Sequence, residues 1–230
     1  MNLTHERKLI VIFIVVFCFI LFGLSGCSAE AKKEKHWKRG EKYFSENKLK
    51  EAIIEYKNVV QIDPKDPKAR YKLGLAYLKA MQFREAYSEF LKSVELDHDM
   101  IEARLQLGNL YLLSRSPQKA REQAEKILSK DPNNAPGHLL MSSIYMAEKD
   151  LDKAISEAKR VIEMDPKKIE AYLHLANLYV IKKDFGQAEQ TLKEAIKVDP
   201  NSTRARYVLG SFYLRMGKRE QALTEFIEVT

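Results

Sequence analysis

Histidine and cysteine, the side chains that most often bind metals or act as nucleophiles, are scarce in this chain. Its 230 residues include two cysteines, Cys18 and Cys27, and five histidines. The histidines are His5, His36, His98, His138 and His174. No two of them are four residues apart, the spacing that would place two metal ligands on one face of a helix. The glycine-rich loop that binds nucleotide phosphates is also missing from the sequence. We therefore predict no catalytic residues, no metal and no cofactor, and a protein that is not an enzyme.

The residues that precede Cys27 predict a role for this cysteine other than metal binding or catalysis. Arg7 and Lys8 are followed by 14 apolar residues, Leu9 to Phe22, and then by the segment Leu24-Ser25-Gly26-Cys27. A charged start, a short apolar core and small residues before a break are typical of a secretory signal peptide. The apolar run is shorter than the roughly 17–25 residues that a membrane-spanning helix needs.

This segment resembles the lipobox of bacterial lipoproteins, in which the cysteine is acylated and the chain is cut directly before it. The resemblance implies that residues 1–26 are a lipoprotein signal peptide, that Cys27 carries the lipid, and that residues 27–35 form a lipidated tether. It also implies a location in the cell envelope, facing the periplasm. Ser28, in place of an aspartate, favours the outer membrane of a Gram-negative bacterium. The alternative is an uncleaved N-terminal anchor with an incidental cysteine.

The rest of the chain repeats itself every 34 residues. The segment Leu107-Gly108-Asn109-Leu110-Tyr111 recurs in altered form at this interval. Tyrosine occupies one column at positions 43, 77, 111, 145, 179 and 213, and alanine another at 52, 86, 120, 154, 188 and 222. Proline occupies a third at 64, 132, 166 and 200, with His98 in the remaining place. Three columns with one period indicate a repeat protein.

Each repeat carries the pattern of two amphipathic helices. In the third repeat, the apolar residues between Ile101 and Leu113 follow helical rather than alternating spacing. Ser116-Pro117 then supplies an N-cap and a proline at the first helical position. Asp131-Pro132 ends the second helix, because the residue before proline is driven out of the α region. The predicted fold class is therefore all-α, built from antiparallel helix pairs.

The Leu-Gly-x-x-Tyr segment, the alanine of the second helix and the Asp-Pro break resemble the tetratricopeptide repeat (TPR). The resemblance implies an α-solenoid, a right-handed superhelix with a concave face lined by the first helices. It gives six repeats within residues 36–230, at about 33–66, 67–100, 101–134, 135–168, 169–202 and 203–230, the last one incomplete. Leu223 and Ile227 would face a seventh repeat or a capping helix, so we expect either a piece of a longer array or a partner docked at this end.

The first helices also collect residues for a peptide-binding groove, because positions three or four apart share one helix face. An apolar floor crossed by short amides and hydroxyls would suit an extended peptide, whose backbone could hydrogen-bond Asn109 and Asn177. The predicted groove residues are Tyr71, Leu105, Asn109, Leu112, Leu139, Ser143, Leu173, Asn177, Ile181, Tyr207 and Ser211. The alternative is that these are common TPR residues without a ligand of their own.

One kind of TPR ligand is not expected. TPR domains that clamp a C-terminal carboxylate have lysine where this chain has Trp37, Tyr71, Leu105, Leu139 and Leu173. The chaperone-type carboxylate clamp is therefore not expected.

Together these features predict a membrane-anchored TPR scaffold that mediates protein–protein interactions in the bacterial envelope. The layout resembles TPR lipoproteins of exopolysaccharide export and exosortase-type systems, which implies a part in assembling an export or secretion machine. The alternative is a lipoprotein of type IV pilus secretin assembly. From other classes, the formal charge of +7 would allow binding of anionic polysaccharide or lipid, or the chain could be the regulatory part of a longer enzyme. An envelope location argues against nucleic acid as a partner.

Replacement of the predicted lipid-bearing residue, Cys27→Ser, should leave an uncleaved and unlipidated precursor, because serine lacks the thiol that forms the thioether. The measurement is metabolic labelling with palmitate, together with the mobility of the chain in gel electrophoresis. Cys18→Ser is the matched control and should be processed normally. Palmitate labelling that persists in the Cys27→Ser chain would contradict the lipobox assignment.

Overall fold

The computed structural model describes residues 29–228, and the regular secondary structure in that range is entirely α-helical. The predicted all-α fold class is confirmed. The helices are α1 (residues 29–45), α2 (Leu49–Ile62), α3 (Pro67–Lys79), α4 (Phe83–Leu96), α5 (Ile101–Leu113), α6 (Pro117–Lys130), α7 (Ala135–Ala147), α8 (Leu151–Met164), α9 (Ile169–Lys182), α10 (Phe185–Val198), α11 (Thr203–Arg215) and α12 (Arg219–Ile227).

Local sequence sets where these helices begin. Proline occupies the first turn of α3, α6 and α7, where its missing N–H leaves no bond unmade. The Asp66 and Asn134 side chains accept backbone N–H bonds at the starts of α3 and α7. Ser116 lies at the predicted N-cap position of α6, but its hydroxyl makes no capping bond and donates to the Ser114 carbonyl instead.

The chain divides into two compact units, Met1–Ala103 and Arg104–Thr230. In the described part of the first unit, α3 packs against both α2 and α4, and α1 packs on α2 through Trp37 and Tyr56. In the second unit, each helix from α6 to α12 packs against the next, and the first helices α7, α9 and α11 also touch one another. Each unit is therefore a stack of antiparallel helix pairs.

Within a pair, the two helices approach closely at small residues. The six alanines of the alanine column have no solvent exposure at all. At Gly40, Gly74 and Gly210, an aromatic ring one turn after the alanine fills the space beside the glycine. A Cβ on Gly74 would lie 2.6 Å from a ring carbon of Phe90, and one on Gly210 would lie 2.6 Å from Phe226. Glycine is needed here because the ring occupies the place of a side chain.

A second repeated contact is not among the predicted features, although it has the same 34-residue period. In five of the repeats, a polar residue near the start of the first helix bonds the residue 19 positions later on the second helix. Arg70 donates to Glu89 (2.8 Å), Arg104 to Gln123 (3.0 Å) and Arg206 to Glu225 (3.2 Å), while His36 meets Glu55 and His138 meets Glu157. The column at 36, 70, 104, 138 and 206, matched by the column at 55, 89, 123, 157 and 225, is the sequence signal that could have revealed it.

Three members of this column, and Tyr172 at the equivalent position of the fifth repeat, also reach the carbonyl of the proline six residues earlier. Arg70 donates to Pro64, His138 meets Pro132, Tyr172 donates to Pro166 and Arg206 donates to Pro200. The side chain thus ties the loop between two pairs to the pair that follows. Polar groups that would otherwise be buried without partners become structural bonds.

The turn inside each pair passes through one residue in the left-handed region. These residues are Asn47, Met81, Arg115, Lys149, Lys183 and Gly217. Five of the six are not glycine, although a side chain destabilises this conformation by about 1 kcal/mol or more. Gly217 has a φ of +75°, and a Cβ added to it would have no atom within 4 Å.

We expect Gly217→Ala to lower the free energy of unfolding by about 1 kcal/mol, because the added methyl group meets no atom and only the backbone conformation is disfavoured. The reverse change at the equivalent position, Met81→Gly, should raise it by about 0.5–1 kcal/mol. Urea unfolding followed by circular dichroism measures both. Equal stabilities for Gly217→Ala and the wild-type chain would show that the turn tolerates any residue.

Candidate functional site

In the second compact unit, the predicted groove residues lie on α5, α7, α9 and α11. These first helices are neighbours, since Leu140 of α7 fills the space beside Gly108 of α5, and α9 touches both α7 and α11. Eight of the groove residues occupy two repeated positions along the helices, namely Leu105, Leu139, Leu173 and Tyr207, then Asn109, Ser143, Asn177 and Ser211. Leu112 and Ile181 follow at neighbouring positions of α5 and α9. The structure therefore brings these ten onto adjacent helices.

Their exposure divides them into a floor and a set of accessible groups. Leu173 is buried, and Leu105, Leu112 and Leu139 are half-buried. Asn109 and Asn177 are exposed, as are Ile181 (46% exposed) and Tyr207 (61% exposed). Exposed amides beside a partly closed apolar floor are the arrangement that an extended peptide backbone requires.

Ser143 and Ser211, at the same repeated position as the two asparagines, are less available to a ligand. Ser143 donates its hydroxyl proton to the Leu139 carbonyl of its own helix at 2.9 Å. Its oxygen can still accept a bond, but the donor is already used. Ser211 is half-buried. Asn109 and Asn177 are therefore the polar groups of this face that can both donate to and accept from a ligand backbone.

In the first compact unit, Tyr71 lines a cleft of about 340 Å³. Its other lining residues are Trp37, Lys68, Lys72, Asp97, Asp99, Met100 and Glu102. The Tyr71 ring lies 5.9 Å from that of Phe90, centroid to centroid, and burial together with the nearby Glu102 carboxylate raises the pKa of Tyr71. The sequence prediction included Tyr71 but missed the other residues of the cleft, because four of them come from the loop before α5 and from its first turn.

Buried Ser142 of α7 and half-buried His174 of α9 form a polar pair, each next in sequence to a groove residue. Ser142 occupies the glycine column and donates to the Ala154 carbonyl at 2.6 Å. Its only proton is then used, so the contact of 2.9 Å with His174 Nε2 has His174 as the donor. Burial lowers the pKa of His174, because the imidazolium form would lose its hydration there.

His36 and His138 serve the contact between the two helices of a pair rather than a metal. His138 is buried between Glu157 and the Pro132 carbonyl, and His36 meets Glu55. Within residues 29–228, no group of three or more His, Cys, Asp and Glu side chains is arranged to hold a metal ion.

The predicted lipidation site lies outside the described residues, as does the signal peptide. Residues 29–35, expected to belong to the tether, form the first part of α1. Lys33 in this segment pairs with Asp63 (2.7 Å) and Asp66 (2.9 Å), so the segment is bonded to the first repeat from there on. Among the helices of residues 29–228, none has the length and hydropathy to cross a membrane.

Models of the tetratricopeptide repeat match the chain along much of its length. One described as TPR repeat matches residues 40–80, and one described as tetratricopeptide repeat matches residues 71–135 and 105–169. A third, described as anaphase-promoting complex, cyclosome, subunit 3, matches residues 147–229. With the helix pairs and their period, these matches show that the chain is a TPR protein. No curated protein sequence matches it.

Several solved structures are similar to it. MamA of Desulfovibrio magneticus RS-1 is 20% identical over 74% of this chain and 97% of its own, with a TM-score of 0.62. PilF of Pseudomonas aeruginosa is 13% identical over 88% and 92%, with a TM-score of 0.65. YrrB, described as a TPR protein with an unusual peptide-binding site, is 21% identical over 78% and 88%, with a TM-score of 0.54. Because 392 solved chains match and identities are this low, the likeness shows the TPR fold and no single function.

The half-buried histidine predicts a pH dependence of stability. The folded pKa of His174 is below its ordinary 6.5, so the unfolded chain binds the proton more readily, and the His174 contribution is lost as the pH falls below 6.5. His174→Leu should therefore flatten the decline in urea midpoint between about pH 7.5 and about pH 5 relative to the wild-type chain.

Ser142→Ala is the matched control, because it removes the hydrogen bond but leaves the imidazole half-buried. Its midpoint should fall with pH as steeply as that of the wild-type chain. Parallel curves for the wild-type and His174→Leu chains would show that burial of His174 does not affect stability in this range.

Proposed function

We propose that this TPR protein is a lipid-anchored scaffold of the bacterial cell envelope that binds extended segments of other proteins and carries out no chemistry itself. The observation that carries the proposal is the pair of exposed asparagines, Asn109 and Asn177, at the same position of two first helices, each flanked by apolar residues.

The proposed binding of extended segments rests on which groove residues are buried and which are exposed. The floor residues Leu105, Leu139 and Leu173 are partly or fully buried, so they keep their positions without a ligand. Ile181 and Tyr207 leave apolar surface in water, which a bound segment would cover. The similar structure of YrrB is described as having a peptide-binding site, which supports a peptide as the ligand class.

The envelope part of the proposal rests on the sequence before residue 29. The apolar run from Leu9 to Phe22 and the lipobox-like segment ending at Cys27 are the features of a lipoprotein. Several acyl chains on one residue, at about 0.8 kcal/mol per buried methylene, would make attachment to a bilayer effectively permanent. The scaffold would then act at the membrane surface.

For the system that it serves, we propose assembly of an export or secretion machine, with exopolysaccharide export or exosortase-type sorting ahead of type IV pilus secretin assembly. The regular 34-residue period favours the first. The likeness to PilF covers most of both chains and is a likeness of fold. Deletion of the chain followed by assays of exopolysaccharide export and of secretin multimers distinguishes the two.

A basic surface that binds anionic polysaccharide or lipid is the rival from another class. The structure gives it little support, because several lysines already have carboxylate partners. Lys182 pairs with Asp152 at 2.6 Å, and Lys218 pairs with Glu189 at 2.8 Å. Capture of a partner that persists above about 0.5 M salt indicates the apolar groove, since salt at that concentration screens exposed charges.

The double change Asn109→Ala and Asn177→Ala should weaken partner capture by about tenfold, because two backbone hydrogen bonds of about 0.7 kcal/mol each are lost. Helicity should not change, since both side chains are exposed. The measurement is a pull-down from envelope extract with the lipidated chain in detergent, quantified by mass spectrometry. Asn133→Ala, an exposed asparagine in the loop before α7, is the control. An unchanged yield for the double variant would remove the groove from the proposal.

A further inference from the structure

We propose that the cleft of the first compact unit binds an arginine side chain of a partner protein. The proposal rests on the proposed function, because it names the chemistry of one partner residue that such a scaffold would hold. The site is the acidic aromatic cleft, formed by Trp37, Tyr71, Asp97, Asp99 and Glu102.

The aromatic walls of this cleft are fixed before any ligand arrives. The Trp37 ring packs edge-on against Tyr56 with centroids 6.1 Å apart, and the Tyr71 ring packs against Phe90 at 5.9 Å. Trp37 and Tyr71 are nevertheless only half-buried. Held rings with accessible surface can attract a cation through the quadrupole of the ring, and arginine makes this contact most often.

The charges of the cleft favour a cation over an anion. Three carboxylates, those of Asp97, Asp99 and Glu102, share the cleft with Lys68 and Lys72. Lys72 already lies 3.0 Å from the Glu41 carboxylate, which neutralises it. The cleft is therefore acidic on balance, in a chain whose formal charge is +7.

The loop before α5 holds one of these carboxylates in place. Asp97 accepts the backbone N–H of Asp99 at 2.9 Å. Glu102 lines the cleft together with Trp37 and Tyr71. A cation stacked on the ring would therefore also meet a carboxylate. The three carboxylates are not arranged to hold a metal ion, since no metal-binding group occurs within residues 29–228.

The size and shape of the cleft favour arginine over lysine. A cleft of about 340 Å³ is near the lower limit of ligand pockets, which begin at about 300 Å³, and suits one long side chain. A guanidinium is planar, so it can stack on Trp37 or Tyr71 while its edge donates two bonds to one carboxylate. An ammonium is more strongly hydrated and cannot stack in this way.

The test is fluorescence anisotropy with the full lipidated chain in detergent and three labelled peptides of one length. They alternate alanine with arginine, with lysine or with citrulline, which keeps the shape of arginine without its charge. Because the chain is basic overall, non-specific attraction works against the arginine peptide. We expect the arginine peptide to bind more tightly than the lysine peptide, and the citrulline peptide to bind at least about tenfold more weakly.

Two variants locate the binding. Glu102→Gln removes one exposed charge and should weaken binding of the arginine peptide by about two- to fivefold, without affecting the fold. Trp37→Leu should weaken it by about threefold or more, because it removes an aromatic wall but keeps an apolar side chain. Glu163→Gln, an exposed carboxylate on α8, is the matched control and should bind like the wild-type chain.

Equal binding of the arginine and citrulline peptides, or binding by Glu102→Gln equal to that of Glu163→Gln, would overturn the proposal. These outcomes are separable from failure of the proposed function. If the arginine peptide does not bind but envelope partners are still captured in an asparagine-dependent way, the cleft assignment alone is wrong. If the arginine peptide binds through Glu102 but partner capture does not depend on the asparagines, the cleft assignment is supported and the groove of the second unit is wrong.

Discussion

A pair of short helices buries too little apolar surface to be stable alone, and everything else in this structure depends on how its helices come close enough to share one core. The close approach occurs where small residues meet. The alanine column has no solvent exposure, and aromatic rings occupy the space that glycine leaves at Gly40, Gly74 and Gly210. A methyl group at these glycines would displace a ring that the core requires.

The tyrosine column connects one helix pair to the next. In the second compact unit, the Arg121 guanidinium lies 4.8 Å from the Tyr145 ring, and the Tyr213 hydroxyl donates to Glu189 at 3.1 Å. Glu189 also pairs with Lys193 and Lys218, and these bonds lower its pKa to about 2. The residue that meets the tyrosine thus varies in chemistry, while the tyrosine itself is kept because it contacts the preceding pair.

This division of tasks leaves one face of the first helices outside the core. The leucine, glycine and tyrosine columns serve the core, whereas Asn109, Asn177 and Tyr207 lie on the exposed face. Residues on that face can change without loss of the fold, which is why TPR proteins with similar structures bind unrelated partners. The chemistry of the individual side chains, and of the acidic aromatic cleft in particular, therefore carries the functional argument.

The sequence alone determined the period, the all-α class and the family, because each depends on local spacing that recurs every 34 residues. Only the tertiary structure decided which polar groups remain available, since Ser143 donates to its own helix and Ser116 does not cap α6.

The acidic aromatic cleft is the clearest case of a feature that the sequence alone does not reveal. Trp37 and Asp97 are far apart in the sequence, and nothing local indicates that a loop carboxylate shares a cleft with a ring from α1. Periodicity reports contacts that every repeat makes in the same way. A site built from residues that differ between repeats becomes visible only when the packed helices place those side chains together.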